Sequence, residues 1–343
     1  VSVIVDKYYP ALSARLAQVL AAVRGRKVAV VGHARPDGDC IGSQVALTRV
    51  LHTLGIDAIC VNPDPVPRRL QFLTGGMTFR RTDEILPVAR EYTAIFVDCA
   101  DGARGGDRLG TAFPNPIAMV DHHLSNVGFA EHNLLDTASA ATCEILAGVL
   151  LDNGLTIDAQ AAQALYTGIL TDTGQFRFTS TSRRCFLLAA ELLSLGAKPS
   201  EAGYELYERE SPGKLRLLQH YLASLKFECG GRLCIGTLAN GVFDETGSTT
   251  EDTEGLVDYA RCLDGVDVGV LIEERTDGTV KASLRAKDPA YRLDVIAGEF
   301  NGGGHACAAG LNLKKDIAGF YDRLVAAISR QIAVVDAQNP VRP

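Results

Sequence analysis

The stretch GHARPDGDC at positions 32 to 40 places His33, Asp37 and Asp39 within seven residues, directly after the apolar run VAVV. Two more short apolar runs end in the same kind of residue: AIFV leads into Asp98 and Asp101, and IAMV leads into Asp121, His122 and His123. A further acid, Asp172, follows in LTDTGQF. Carboxylates gathered in one crevice raise one another's pKa and resist joint ionisation, and a cation between them removes that conflict. The donors are oxygen and imidazole nitrogen, which suits manganese- or magnesium-like ions better than a thiolate-rich set does, with zinc and iron left open. His33, Asp37, Asp39, Asp98, His122 and Asp172 are more ligands than one ion needs. Two ions about 3.5–4 Å apart, bridged by one carboxylate, would use them all; such a pair activates a water and clamps phosphate oxygens. Phosphoester hydrolysis is the reaction this set suits best, and Asp98, on the middle run, is the expected bridge. In a segment read as extended, Asp37 and Asp39 point the same way, and the same alternation turns Cys40 and Cys99 elsewhere.

For such distant residues to meet, the elements carrying them must converge. KVAVV is followed by IGSQVALTRVLHTLG, where Leu47, Val50, Leu51 and Leu54 keep helical spacing and Gly55 can close the helix. IDAICV, TAIFV and PIAMV are further strand-length runs. This alternation predicts an α/β fold with a parallel sheet and helices on both faces, whose C-terminal strand ends face one crevice. After Asp136 the stretches TASAATCEILAGVLLDNG and TIDAQAAQALYTGILTDTG read as helices, and SRRCFLLAAELLSLGAKPSEAGYELYERESPGKLRLLQHYLASL as mostly helical, with stops at Gly196, Pro199 and Pro212. Strands resume with RLCIGTL, VDVGVLIEER and GTVKASLRAK. IAGEF, the glycine run NGGGH and a closing helix, IAGFYDRLVAAISRQIAVV, follow. The expected division is a first domain over residues 1–195, a helical linker over 196–225 and a smaller α/β domain over 226–343.

Composition narrows the classes. The chain has 343 residues, 47% hydrophobic and 22% charged, enough apolar material for two cores. No run reaches the roughly 20 apolar residues of a membrane span, and the start shows no secretory cleavage pattern. A formal charge of −7 argues against coating a long duplex nucleic acid, while a small phosphorylated ligand held by local Arg and Lys is permitted. Nine cysteines, an odd number without a C-x-x-C pair, read as reduced thiols of a cytoplasmic protein.

GHARPDGDCIGS, VDCAD, VDHHLSN and TGILTDTGQFRF, in this order, resemble the four motifs of the DHH phosphoesterases, with Asp121, His122 and His123 matching the naming triplet. VKASLRAK and NGGGHACAAG resemble the DHHA1 substrate-binding domain of the nanoRNase and 3′-phosphoadenosine-5′-phosphate (pAp) phosphatase subgroup. The resemblance implies a DHH catalytic domain followed by a DHHA1 domain, and a hydrolase that cuts short RNA oligonucleotides to 5′-mononucleotides and removes a phosphate from the nucleoside bisphosphate pAp. It implies two divalent ions, manganese first. One lies on His33, Asp37 and Asp98, the other on Asp39, Asp98, His122 and Asp172. His123 would contact the scissile phosphate or act as general acid, and Asp121 would support the histidines. Arg285 and His305 would hold the substrate's terminal phosphate, with the amides of Gly302, Gly303 and Gly304 close to it and Ser283 as a further candidate. Family members often pair as homodimers.

Independently of the resemblance, a glycine run before a histidine lets backbone amides approach an anion, and an Arg offers a planar fork for phosphate. Each residue alone also has a structural reading. A strand-end Asp such as Asp39 or Asp101 is a turn or helix cap. A glycine run marks a turn, and a strand Arg is solvated. Arg68, Arg69, Arg80 and Arg81 read as a solvated surface patch. The rival functions are a phosphodiesterase of cyclic or linear dinucleotides and a non-catalytic nucleotide sensor; the second predicts lost ligands, and none is missing.

Overall fold

Lys27–Val31 (β1), Ala58–Asn62 (β2), Phe79–Arg81 (β3), Tyr92–Val97 (β4), Ala118–Asp121 (β5) and His132–Leu135 (β6) form one sheet in the order β3-β2-β1-β4-β5-β6. Every neighbouring pair is parallel. The computed structural model describes residues 7–314 and 319–338, and the chain divides into two units, one through Arg209 and the other from Glu210. In the first unit the period of two along β1 decides which side of the sheet each residue serves. Val28 and Val30 join Ile95, Val97 and the long helices Pro10–Ala22, Gly38–Thr53, Thr142–Asp152, Ala159–Asp172 and Arg183–Ser194 in one apolar cluster. Ala29 and Val31 join Phe96, Met119, Ile85, Leu109 and Phe113 in another. Central strands buried on both faces read as continuous apolar runs, which is how VAVV, AIFV and IAMV look. The strand order reverses between β1 and β4, so their C-terminal ends open at the switch point of the sheet.

Two helices approach each other so closely that only glycine fits at their contact. A Cβ on Gly42, in the Gly38–Thr53 helix, would strike the carbonyl oxygen of Ala164 in the Ala159–Asp172 helix. A Cβ on Gly168 would strike Cys143 Sγ. This contact brings the first turn of one helix, with Asp39, beside the last residue of the other, Asp172.

The segment around Asp37 differs from its sequence reading. It is not extended through Asp39: Asp37 is the N-cap, accepting from the backbone N–H groups of Asp39 and Cys40, and Asp39 already lies in the first helical turn. A capping carboxylate starts the helix ahead of its apolar pattern, which begins only at Ile41.

The stretch 196–225 is shared between the units. Pro199–Gly203 and the π-turn Tyr204–Glu208 belong to the first, and the helix Pro212–Ala223 to the second. The second unit carries Lys226–Glu228 (β7), Leu233–Leu238 (β8), Val268–Glu274 (β9), Val280–Ala286 (β10), Gly303–His305 (β11) and Ala308–Leu313 (β12), ordered β11-β12-β10-β9-β8-β7. Only β8 and β9 are parallel in this mixed sheet. The IAG of IAGEF ends a short helix, Leu293–Gly298, and the closing helix runs Phe320–Gln338. Its expected first residues, 317 and 318, lie outside the described residues. No described helix is long and apolar enough to cross a membrane.

Candidate functional site

β1, β4 and β5 end side by side, and each delivers its acid or histidine at that edge. Asp98 directly follows β4 with φ +57, the left-handed region, and donates its N–H to Val120 O at 3.0 Å. This kink ends the strand and turns the carboxylate into the crevice. Asp98 Oδ2 lies 3.2 Å from His33 Nε2, and Oδ1 lies 3.7 Å from His122 Nε2. One carboxylate therefore faces His33 with one oxygen and His122 with the other.

Hydrogen bonds behind the rings fix the roles of the ring nitrogens. His33 Nδ1 meets the carbonyl of Ala34 at 2.9 Å and His122 Nδ1 meets that of Ser139 at 3.3 Å. A carbonyl can only accept, so each Nδ1 carries a proton and donates it, and Nε2 is the ring nitrogen that faces the carboxylates. His122 Nε2 is also 3.5 Å from Asp172 Oδ2 and 3.9 Å from Asp39 Oδ2, and His33 Nε2 is 3.7 Å from Asp37 Oδ1. His123 is held differently: its Nδ1 lies 2.7 Å from Asp121 Oδ1 and 3.7 Å from Asp98 Oδ1.

Among the described residues, three groups bring ligand atoms within 4.8 Å of one another: Asp39, His122 and Asp172; Asp98, His122 and His123; and His33, Cys40 and Asp98. Asp37, half exposed, is in none of these groups and serves as the helix cap while facing His33. Asp39 is fully buried, and both of its oxygens accept backbone N–H groups, from Thr142 at 2.6 Å and Cys143 at 2.8 Å. It therefore caps the Thr142–Asp152 helix from a neighbouring element, since the helix's own N-cap, Ala141, has no side-chain acceptor. Asp101 has the structural role its type suggests, accepting from Arg104 N at the start of a short turn.

The electrostatics show a cluster short of positive charge. Burial, then the Asp98 charge, pushes Asp39 up to about 7. Burial and the charges of Asp39, Asp37 and Asp98 push Asp172 well above the carboxylate range. Asp98 goes the other way: burial would raise it, but the His33 hydrogen bond and the charges of His33, His122 and His123 hold it below the usual range. Burial disfavours charge on His123, yet the hydrogen bond to Asp121 and the Asp98 charge raise it overall. Several carboxylates around two Nε2 atoms, with each ring oriented by a carbonyl at Nδ1, fit divalent cations as the missing positive charge.

The expectation that Cys40 turns away is overturned. Because residues 38–53 are helical, strand alternation does not apply, and Cys40 Sγ groups with His33 and Asp98. Sequence reasoning also passed over three partners. Thr142 Oγ1 donates to Asp98 Oδ1 at 3.1 Å, and Asn126 Nδ2 donates to Asp121 Oδ2 at 2.6 Å, fixing the carboxylate that orients His123. The Ser139 carbonyl that orients His122 has no sequence signal; Asn126, inside VDHHLSN, was within reach of one.

The second unit places its candidates by register. Arg285 on β10 and His305 on β11 are both paired with Ala308 on β12. Ser283 and Gly303 are both paired with Gly310. Directly opposed residues project from the same face, so Arg285, His305 and Ser283 share one side of the sheet, with small residues between them. Along β10 that side is the partly exposed one, alternating with buried Ala282, Leu284 and Ala286. Gly304 has φ +145, and a Cβ there would strike Ala308 O; a Cβ on Gly302 would strike Gly310 O. The glycine run is thus what lets β11 lie against β12.

A parallel α/β unit with a buried acid and imidazole cluster at its switch point suits a cation-dependent hydrolase. The model of the DHH family, N-terminal domain, matches residues 27–169, and that of the DHHA1 domain matches residues 231–334. The chain belongs to the DHH family of phosphoesterases. It is 34% identical to the bifunctional oligoribonuclease and PAP phosphatase NrnA of Thermus thermophilus, over 92% of this chain and 93% of that one. It is 26% identical to the protein of the same name in Bacillus subtilis, over 82% of this chain and 87% of that one. An exopolyphosphatase-related protein from Bacteroides fragilis shares its fold with a TM-score of 0.87 at 23% identity, covering 98% of this chain and 99% of that one.

Proposed function

We propose that the protein hydrolyses RNA of a few nucleotides to 5′-mononucleotides and converts pAp to AMP, using two manganese ions. The observation that carries this reading is Asp98, which offers Oδ2 toward His33 and Oδ1 toward His122. His33, Asp37 and Asp98 would hold one ion, and Asp39, Asp98, His122 and Asp172 the other. Such a pair lowers the pKa of a water and neutralises charge on phosphate oxygens.

The chain's own residues supply the rest. His123 has Nδ1 engaged by Asp121, so Nε2 is the nitrogen that can give a proton to the leaving oxygen, and the environment favours its charged form. Asn126 and Asp121 keep that ring from rotating. Arg285 and His305, flanking Ala308, would grip a phosphate at the far end of the substrate, with Ser283 and the amides of Gly302, Gly303 and Gly304 beside it. A second grip of this kind favours short substrates with a free phosphate. The relatives' names, oligoribonuclease and PAP phosphatase, support that choice.

The test is product analysis by metal-depleted protein, before and after Mn²⁺ is restored, with a dinucleotide, a slightly longer RNA, pAp and a cyclic dinucleotide. Mononucleotides and AMP, formed only with metal, are expected. No turnover of RNA or pAp by fully metallated protein rejects the reading, and preferred cleavage of the cyclic substrate replaces it with the rival phosphodiesterase. In the same assay Asp98→Asn should lower kcat/KM by more than about a hundredfold, since even outer-shell partners are worth about 10–100-fold.

A further inference from the structure

We propose that Cys40 Sγ is a donor to the cation held by His33 and Asp98, giving that position an affinity for thiophilic divalent ions that the position of Asp39, His122 and Asp172 lacks. The inference rests on the two-cation reading above and adds to it a sulfur ligand and a difference between the two positions. Sγ, the His33 nitrogen and an Asp98 oxygen lie within 4.8 Å of one another. All three residues are buried, with relative exposures of 0% for Cys40, 4% for His33 and 2% for Asp98. Buried cysteine is commonly a small hydrophobe, and on type alone Cys40 would be read that way.

Its surroundings are polar, however. Gln44 Nε2 donates to Val30 O at 2.8 Å and Val61 O at 3.1 Å, which fixes the amide so that Oε1 accepts from Cys40 Sγ at 3.8 Å. Asn62 Nδ2 points at Sγ from 3.9 Å. Asn62 is 1% exposed, and its Oδ1 is buried without a hydrogen-bond partner among the described residues. Gly32 makes the convergence possible: a Cβ there would lie 2.5 Å from Sγ and 2.7 Å from both Asn62 Nδ2 and Gln44 Oε1. The neutral thiol is satisfied by Gln44 Oε1. A thiolate bound to a cation gains a donor in Asn62 Nδ2. On binding, the S–H bond is replaced by an S–metal bond and the proton leaves to solvent, with no change of oxidation state. Oxygen-and-imidazole positions favour manganese and magnesium, and a thiolate shifts preference toward zinc, cadmium and cobalt.

The test uses metal-depleted full-length protein carrying Cys262→Ser, which removes the exposed thiol. Cobalt(II) titration should give visible ligand-field bands and a near-ultraviolet sulfur-to-cobalt charge-transfer band. Adding Cys40→Ser should abolish the charge-transfer band, keep the ligand-field bands and weaken cadmium binding by at least the about tenfold that even an outer-shell partner is worth, with manganese binding changed far less. X-ray absorption of the zinc-loaded protein without the Cys40 change should find sulfur in the coordination shell, which decides the matter even where Cys40→Ser does not fold. Cobalt bound with no sulfur band and zinc bound with no sulfur neighbour overturn the proposal and leave the two-cation reading standing. Failure to bind cobalt at all overturns both.

Discussion

Asp98 occupies a backbone conformation that costs a non-glycine residue of order 1–3 kcal/mol, and it is among the most buried acids of the first unit. Its oxygens face His33 and His122, whose rings are oriented by carbonyls at Nδ1, so the conformation serves the cluster. Asp39 and Asp172 carry the cost of that cluster without cations. Both have folded-state pKa values above the unfolded value of about 3.9. In the metal-free protein the unfolded chain releases these protons first, so the native state binds more protons and stability falls as pH rises from about 4 to the value of about 7 for Asp39. Below that window both states are protonated and the penalty vanishes. Thermal melts in chelator should therefore show this contribution declining across the window, and the increase in Tm on adding Mn²⁺ should be larger near pH 8 than near pH 5. An increase independent of pH contradicts the arrangement. At this scale the acids and histidines of the first three motifs were legible because an apolar run leads into each group, whereas Asp172 ends a helix. Cys40 was misread because a capping Asp37 turns its segment helical, which alternation alone does not reveal. Thr142 was invisible because it reaches Asp98 across 44 residues of chain.

The elements hold this cluster through one close helix contact. Gly42 lets the Gly38–Thr53 and Ala159–Asp172 helices meet, Gly168 makes room for Cys143 of the Thr142–Asp152 helix, and the first contact sets the separation of Asp39 from Asp172. Because the atom facing Gly42 is a backbone oxygen, Gly42→Ala can be accommodated only by moving a helix. It should destabilise the protein by about 1–3 kcal/mol, the usual cost of overpacking, and weaken cation binding. Gly203→Ala is the control: it ends a helix at φ −59 with open space around its missing Cβ, so it should be neutral or stabilising by up to about 1 kcal/mol. Urea unfolding with and without Mn²⁺ measures both; equal effects would show that the helix contact is not what the glycine provides. The central strands were readable as continuous apolar runs. The edge strands β3 and β11 were not, since three residues each show no period, and the pairing of β11 depends on glycines whose role appears only once β12 lies against them.

Over the whole molecule, a formal charge of −7 means that a phosphorylated substrate meets net repulsion everywhere except at local cationic groups. Cations would supply that attraction in the first unit; in the second, the row Arg285, Ala308, His305 would do so. The sequence pattern separated two sheet-forming stretches by a helical one, but it could not say that the helical stretch is divided between the units, because helical periodicity does not record which core each helix joins. If the two sites have separate tasks, their substitutions should separate by substrate. Arg285→Ala removes a charged phosphate partner worth about 1.5–3 kcal/mol and should lower kcat/KM for pAp by about ten- to a hundredfold, mostly through KM. Hydrolysis of bis(p-nitrophenyl) phosphate, which has no second phosphate to grip, should be unchanged by Arg285→Ala or His305→Ala and lost with Asp98→Asn. Equal losses on both substrates would mean that Arg285 supports the fold or the chemistry in general. A loss confined to pAp, together with unchanged Mn²⁺ affinity, makes the second unit the element that selects a substrate by its far phosphate while the first cuts whatever phosphoester reaches it.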